Sequence, residues 1–160
     1  MPQAMLVMES PVGPIRLETD DEVVTQVIFV ESHNPVTAAD VPVTPLLAEA
    51  RRQLRAYFEG SLKEFDLPLY RGGTAFQRRV WEELRQIPYG LTSSYGEIAS
   101  RLGLPIGASR AVGTANGRNP VAIVVPCHRV IGAHGKLVGY AAGLERKKYL
   151  LAMERAEGFA

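Results

Sequence analysis

Cysteine is almost missing from this chain: one residue, Cys127, stands among 160. No disulfide can therefore form within it, and three histidines scattered at His33, His128 and His134 leave too few ligands for a structural zinc site. Long apolar runs are missing as well. No stretch approaches the roughly 20 residues that cross a bilayer, and no basic segment followed by an apolar signal core opens the sequence. The expectation is a cytoplasmic protein in a reducing compartment, with no membrane and no metal. Excess charge of either sign is lacking, at a formal net of +1, and there is no internal repeat or low-complexity tract. What is there, 46% hydrophobic and 22% charged residues, suffices for one substantial core or two small ones.

The near-neutral total hides a division. Residues 1–70 carry five Lys or Arg against eleven Asp or Glu, whereas residues 71–160 carry thirteen against six. A basic C-terminal half is suited to meeting a polyanion. It is equally suited to docking on the acidic half, so charge alone leaves nucleic-acid binding open.

Read in order, residues 5–10, 15–18 and 23–30 form three strands, rich in Val, Ile and Phe and bounded by Pro, Gly and Asp. A loop containing Asn34-Pro35 and Pro42 leads to Thr44-Pro45, a helix cap with proline at the first helical position. Apolar residues from Leu46 to Phe58 keep a helical period until Gly60. The boundary between a first unit, 1–70, and a second, 71–160, falls at Arg71-Gly72-Gly73. Thr74 to Gln77 fits a capping box and opens a helix through Arg85, with Trp81 in its core face. Ser94 to Glu97 is a second capping box, for a short helix that Gly103 closes, and a further helix is expected from about residue 107 to 117. Two short helices about a glycine turn outline a helix-turn-helix, a pattern shared with ordinary helical hairpins. The second of them is built of Ala108, Ser109, Ala111, Gly113, Thr114 and Ala115 around Arg110 and Arg118. Small residues permit close approach, either to another helix or to a DNA groove. A last helix is expected over residues 144–155, with Arg146, Lys147 and Lys148 facing solvent.

The only thiol follows the apolar run 121–125, which reads as a buried strand ended by Pro126. Cys127 and His128 should then lie on the turn beyond it, with His128 and Arg129 adding positive potential that favours thiolate. A lone cysteine is more often a small buried hydrophobe than a nucleophile, and adjacency to histidine is weak evidence by itself. Two reactions suit a nucleophilic thiol here. Acyl transfer gives a thioester that water cleaves, with turnover; attack on an alkyl carbon leaves a thioether, and the protein is consumed.

Asn119-Pro120 followed by Ile123-Val124-Val125-Pro126-Cys127-His128-Arg129-Val130-Ile131 resembles the active-site signature of the O6-alkylguanine-DNA alkyltransferases. The likeness extends over residues 74–155 and more loosely over the whole chain. It implies an α+β protein: a small strand-rich N-terminal α/β unit with a structural role, then a mainly helical domain for DNA binding and alkyl transfer. That domain would hold a helix-turn-helix and a buried active-site strand. The implied function is DNA repair by direct, stoichiometric and irreversible transfer of the alkyl group from O6-alkylguanine in a flipped-out base to Cys127. O6-methylguanine would be the main substrate and O4-methylthymine a further one. No cofactor is implied. The implied partner is double-stranded DNA containing alkylated guanine, met by a monomer, with cooperativity on DNA left open.

Residue by residue, the resemblance implies that His128 and Glu154, with a water, draw the proton from Cys127. It implies that Asn119 braces the network and Tyr95 donates toward the departing purine. Arg110 would fill the space the flipped base leaves, and Ala108, Ser109, Ala111, Thr114, Arg118 and Arg129 would face DNA. The pocket would be lined by Tyr95, Val130, Val138, Tyr140, Ala141 and Ala142. Two departures stand out. Tyr140-Ala141-Ala142-Gly143 replaces the family's Tyr, Ser or Gly, and two glycines, so methyl adducts should transfer well and benzyl-sized ones less well. The turn over residues 104–108 is about one residue longer than in many relatives. The alternative reading is an alkyltransferase-like sensor, which binds alkylated DNA without chemistry; the retained Cys127 argues against it.

Overall fold

Alternation of apolar and polar side chains along the first strands produces a sheet with one buried face. The computed structural model describes residues 4–31, 43–137 and 139–156. Strands β1 (Ala4–Met8), β2 (Ile15–Thr19) and β3 (Val24–Phe29) form an antiparallel meander in that order. Leu6 pairs with Leu17, and Leu17 with Val27, which keeps the apolar positions of all three strands on the same side. Asp20 shapes the second turn, its Oδ1 accepting the Glu22 and Val23 N–H groups at 2.7 Å each. Those bonds hold its carboxyl below the usual range.

Helix α1 (Pro45–Phe58) starts where expected, with Thr44 Oγ1 accepting the Leu47 N–H at 3.3 Å and Pro45 in the first turn. It packs Leu47, Ala50, Leu54 and Tyr57 onto the sheet. Gln53, also buried, binds the Asp66 backbone in both directions, at 2.9 Å each, and so ties the following chain to the helix. The expected loop through Asn34-Pro35 and Pro42 lies outside the described residues. The chain divides into two compact units, Met1–Tyr70 and Arg71–Ala160.

The second unit opens on α2 (Ala75–Arg85), whose capping box is complete: the Gln77 N–H donates to Thr74 Oγ1 and the Thr74 N–H donates to Gln77 Oε1. Gly73 must be glycine on two counts, a φ of +89° and a Cβ position only 2.8 Å from Trp81 Cη2. The Trp81 indole N–H donates to the Ala115 carbonyl at 2.9 Å. Strand β4 (Ser93–Ser94) leads into α3 (Tyr95–Arg101), capped by Ser94, and pairs in parallel with β5 (Val130–Ile131). After the left-handed Gly103 a 3-10 turn, Ile106–Ala108, precedes α4 (Ser109–Gly117). The α-helix therefore begins two residues later than expected, because the Ala108 N–H closes a tight turn on the Pro105 carbonyl. Helix α5 (Leu144–Met153) completes the unit, ending two residues short of the expected Arg155.

Candidate active site

The apolar run before the thiol is not a strand. Asn119 folds it into a loop: its Oδ1 accepts the Val121 N–H at 3.0 Å, and its Nδ2 donates to the Val125 carbonyl at 2.8 Å. The Val125 N–H returns to Val121 O at 3.0 Å and the Val124 N–H to Ala122 O at 2.7 Å. Hydrogen bonding within the segment thus replaces pairing with a neighbour. Ile123 sits at a φ of +71°, a strained state for a β-branched residue, with its side chain fully buried. Beyond Pro126 the expected turn is present: Cys127–Arg129 form one 3-10 turn, fixed by Cys127 N–H to Val125 O (2.8 Å) and Arg129 N–H to Pro126 O (3.0 Å).

All three side chains of that turn are buried. His128 Nε2 lies 2.7 Å from Glu154 Oε2, and Arg129 grips the same carboxylate through Nε to Oε1 (2.8 Å) and Nη2 to Oε2 (3.0 Å). Its Nη1 donates to the Ile87 carbonyl at 2.8 Å, and its guanidinium stands over the Tyr89 ring, 5.7 Å from the centroid. Arg129 therefore does not face DNA. It neutralises Glu154 inside the unit, the one arrangement in which a buried carboxylate of this kind is tolerable. Burial alone would raise the Glu154 carboxyl, but hydrogen bonds and charge from His128 and Arg129 outweigh it and hold the group at about 2. The ionised carboxylate can only accept, so Nε2 of His128 carries the hydrogen and the neutral ring presents its lone pair at Nδ1. That atom is buried and makes no hydrogen bond within the protein. Burial also lowers the imidazole below its ordinary value, against the pull of Glu154.

Cys127 is the mirror case. Burial pushes its thiol up; hydrogen bonding from Asn119, the charge of Lys147 and the Tyr140 hydroxyl pull in the other direction. Cys127 and His128 are accordingly a neutral thiol and a neutral imidazole at neutral pH, not the preformed thiolate that adjacent positive charge suggested. Lys147 corrects a second expectation. It is fully buried rather than solvated, with Nζ donating to the Gly139 carbonyl at 3.4 Å, and burial lowers its ammonium to about 8. The Tyr95 hydroxyl, half-buried, donates to the same carbonyl at 3.5 Å. Tyr140 has a buried hydroxyl that reaches no nitrogen or oxygen partner, and burial and the neighbouring Cys127 raise it well above the ordinary tyrosine range. Val130 is fully buried in β5, Ala141 is exposed and Ala142 half-buried, its carbonyl accepting Arg146 Nη1 at 3.1 Å. Val138 lies outside the described residues.

Helix α4 joins this interior to a surface. Val112, Ala115 and Asn116 face inward, and Asn116 Nδ2 donates to the Cys127 carbonyl at 3.4 Å. Arg110, Ala111, Thr114, Gly117 and Arg118 are exposed, Ala108 and Ser109 half-buried. The helix carries Arg110 and no carboxylate, Arg118 caps its C-terminus, and the Tyr95 ring packs 3.6 Å from where a Gly113 Cβ would stand. Sequence reasoning missed Asn116 and Lys147. The latter was detectable: Lys147 and Glu154 are two helical turns apart, in one stripe with Leu150 and Leu151.

Among the described residues, no group of three or more His, Cys, Asp or Glu is placed to hold a metal ion, and no helix is long and apolar enough to cross a membrane. The site is thus a single buried thiol, a histidine whose free nitrogen is buried with it, and a carboxylate fixed by an arginine.

Comparison with known proteins points one way. Residues 75–156 match the family described as 6-O-methylguanine DNA methyltransferase, DNA binding domain, and residues 5–70 its ribonuclease-like domain. The methylated-DNA--protein-cysteine methyltransferase of Methanosarcina acetivorans is 53% identical over 150 residues, covering 92% of this chain and 96% of that protein. The crystal structure of Mycobacterium tuberculosis OGT in complex with DNA matches with a TM-score of 0.85 at 49% identity, covering 95% of this chain and 92% of that one. The structure of the M. tuberculosis O6-methylguanine methyltransferase matches at 0.83 and 48%, over 96% and 93%. With a reactive-cysteine loop of this form and likeness over nearly its whole length, the chain belongs to the methylated-DNA--protein-cysteine methyltransferase family.

Proposed function

We propose that this protein repairs DNA by moving the alkyl group of O6-alkylguanine onto Cys127, once per molecule. The observation that carries the reading is the buried turn itself, where the only thiol of the chain shares an enclosed site with a His128–Glu154–Arg129 chain. The sulfur attacks the O6-alkyl carbon; a C–S bond forms as the C–O bond breaks. The thiol proton passes through a water to Nδ1 of His128, whose positive charge Glu154 then stabilises. Tyr95 donates toward the purine as its oxygen takes up negative charge. Because the product is a thioether, water has no route to regenerate the thiol.

The neutral resting pair makes chemical sense in this reading: the thiol ionises only when substrate and relay are in place, which spares it from other electrophiles. The base must leave the duplex to reach so buried a group, at a cost of roughly a few kcal/mol. The exposed small and basic face of α4, with Arg110, is suited to lie against the duplex while that happens. The first unit, which among its described residues buries no comparable chemistry, serves a structural role, and a cytoplasmic location, nucleoid-associated in a prokaryote, suits the substrate.

Intact-protein mass tests the proposal. Mixing with a duplex carrying one O6-methylguanine should add a single methylene, about 14 Da, to the wild type and nothing to Cys127→Ser. An undamaged duplex should add nothing. Tight, damage-selective binding with no gain in mass would replace transfer by sensing.

A further inference from the structure

The mechanism above leaves one buried ionisable group unused. Lys147 is fully buried on α5 and seven residues before Glu154, so both project from the same stripe of the helix toward the reactive turn. Taking an ammonium out of water is costly, and nothing about a ten-residue helix requires lysine there. Its surroundings say what holds it. Nζ donates to Gly139 O at 3.4 Å, and the Tyr95 hydroxyl, from α3, donates to that same carbonyl at 3.5 Å. Gly139 itself is at a φ of +58°, where a Cβ would stand 3.8 Å from the Tyr95 hydroxyl. One carbonyl of the pocket loop is therefore clamped between two elements. The charge of Lys147 acts on Cys127 and His128 of the reactive turn, the Tyr95 hydroxyl shares the Gly139 carbonyl, and the Tyr140 hydroxyl lies against the same thiol. Glu154, the only buried carboxylate among the described residues of this unit, is already bound by Arg129.

We infer that Lys147 is a positioning residue for alkyl transfer: clamped on the Gly139 carbonyl, its ammonium supplies the fixed positive charge that compensates the Cys127 thiolate as it forms. This deepens the reading of Cys127 as the alkyl acceptor and rests on it. His128 removes the proton but cannot also be the resting counter-charge, because its ring is neutral until the proton arrives. Lys147 is charged beforehand, and its position costs no rearrangement during the reaction.

The test uses Lys147→Met, close in length and uncharged, and the fact that the chain has a single cysteine. Thiolate reactivity in the free protein at about pH 7, where the Lys147 ammonium is still charged, is followed as the rate of Cys127 alkylation by iodoacetamide, read by intact mass, which needs neither DNA nor transfer. The expected result is alkylation slowed about tenfold or more, with transfer at neutral pH slowed to match. The difference between wild type and variant should shrink above about pH 8, where the ammonium is lost. Thermal stability should hold or rise, because a desolvated charge has been removed. An unchanged alkylation rate at neutral pH in a folded variant overturns the inference, even if transfer slows. Should the wild type fail to gain mass on alkylated duplex while iodoacetamide alkylation is still slower in Lys147→Met, the transfer reading falls and the electrostatic role of Lys147 stands.

Discussion

The two units of this chain bury polar groups in opposite ways. In the first, the buried polar side chains among the described residues are Thr19 and Gln53, both neutral, and Gln53 shares its amide between the Asp66 backbone and the Glu49 carboxylate on its own helix. In the second, His128, Arg129, Lys147 and Glu154 are all inside. A sheet covered by one helix needs no charge in its core, and evolution of stability alone would not put four ionisable groups into the other unit. The difference separates a part held together by apolar packing from a part whose interior is arranged for a reaction. It also says where substitutions should hurt most.

The sharpest contrast should come from Glu154→Gln set against Gln53→Ala. The first leaves the Arg129 guanidinium buried without its counter-charge and should cost about 3–5 kcal/mol. The second removes two hydrogen bonds to the Asp66 backbone and one to the Glu49 carboxylate but leaves no charge buried, and should cost about 1–3 kcal/mol. Urea unfolding followed by Trp81 fluorescence for one and by circular dichroism for the other would measure both; equal costs would remove the distinction between the units. Transfer in Glu154→Gln should fall about 100-fold or more as well, since His128 loses the group that orients and charges it.

Acid should find the same asymmetry. His128 and Glu154 both titrate lower in the folded protein than in the unfolded chain, so the unfolded chain binds more protons as pH falls. The stability they contribute is complete at neutral pH. It should decline first below about 6.5 through His128, then from about 4.5 toward about 2 through Glu154. Urea midpoints read from Trp81 at descending pH would show this, and His128→Gln should lose the upper step. A flat midpoint through that range would mean that the imidazole is charged in the folded protein.

Smaller effects are expected at the surface. Arg110→Ala should weaken duplex binding and lower the slope of log affinity against log salt by about one, with stability changed by less than about 0.5 kcal/mol. A loss of stability instead would make Arg110 part of the packing. The mildest effect is reserved for the pocket loop. Ala142→Gly should speed transfer from O6-benzylguanine duplex several-fold relative to O6-methylguanine, as the added methyl group is removed; an unchanged ratio would clear Ala142 of any role in alkyl-group size.

Legibility followed the range of the interactions. The caps at Thr44, Thr74 and Ser94 are local patterns and were readable, as were the three strands; period-2 alternation matches one buried face in β1 and β2, and β3, beside a register shift at Glu18/Thr19, was marked by its Val, Ile and Phe content. The segment 121–125 misled because a β-branched run looks the same whether it pairs with a neighbour or closes on itself. What decided the matter was the Asn119 side chain, bonding residues 121 and 125, and that partnership has no periodicity. Arg129 and Lys147 misled for a related reason. Basic residues are exposed by default, and the partners that draw them inward, Glu154 and the Gly139 carbonyl, are 25 and 8 residues away.

By itself, the sequence determined the nucleophile, the turn that presents it, the helix pair and the family, because each is written in contiguous residues. Tertiary structure alone decided the electrical state of the site. Whether Cys127 and His128 are neutral, whether Arg129 serves DNA or Glu154, and whether Lys147 is solvent-facing or a fixed charge all depend on desolvation and on distances between remote residues. Those are properties of the folded volume, and no local pattern encodes them.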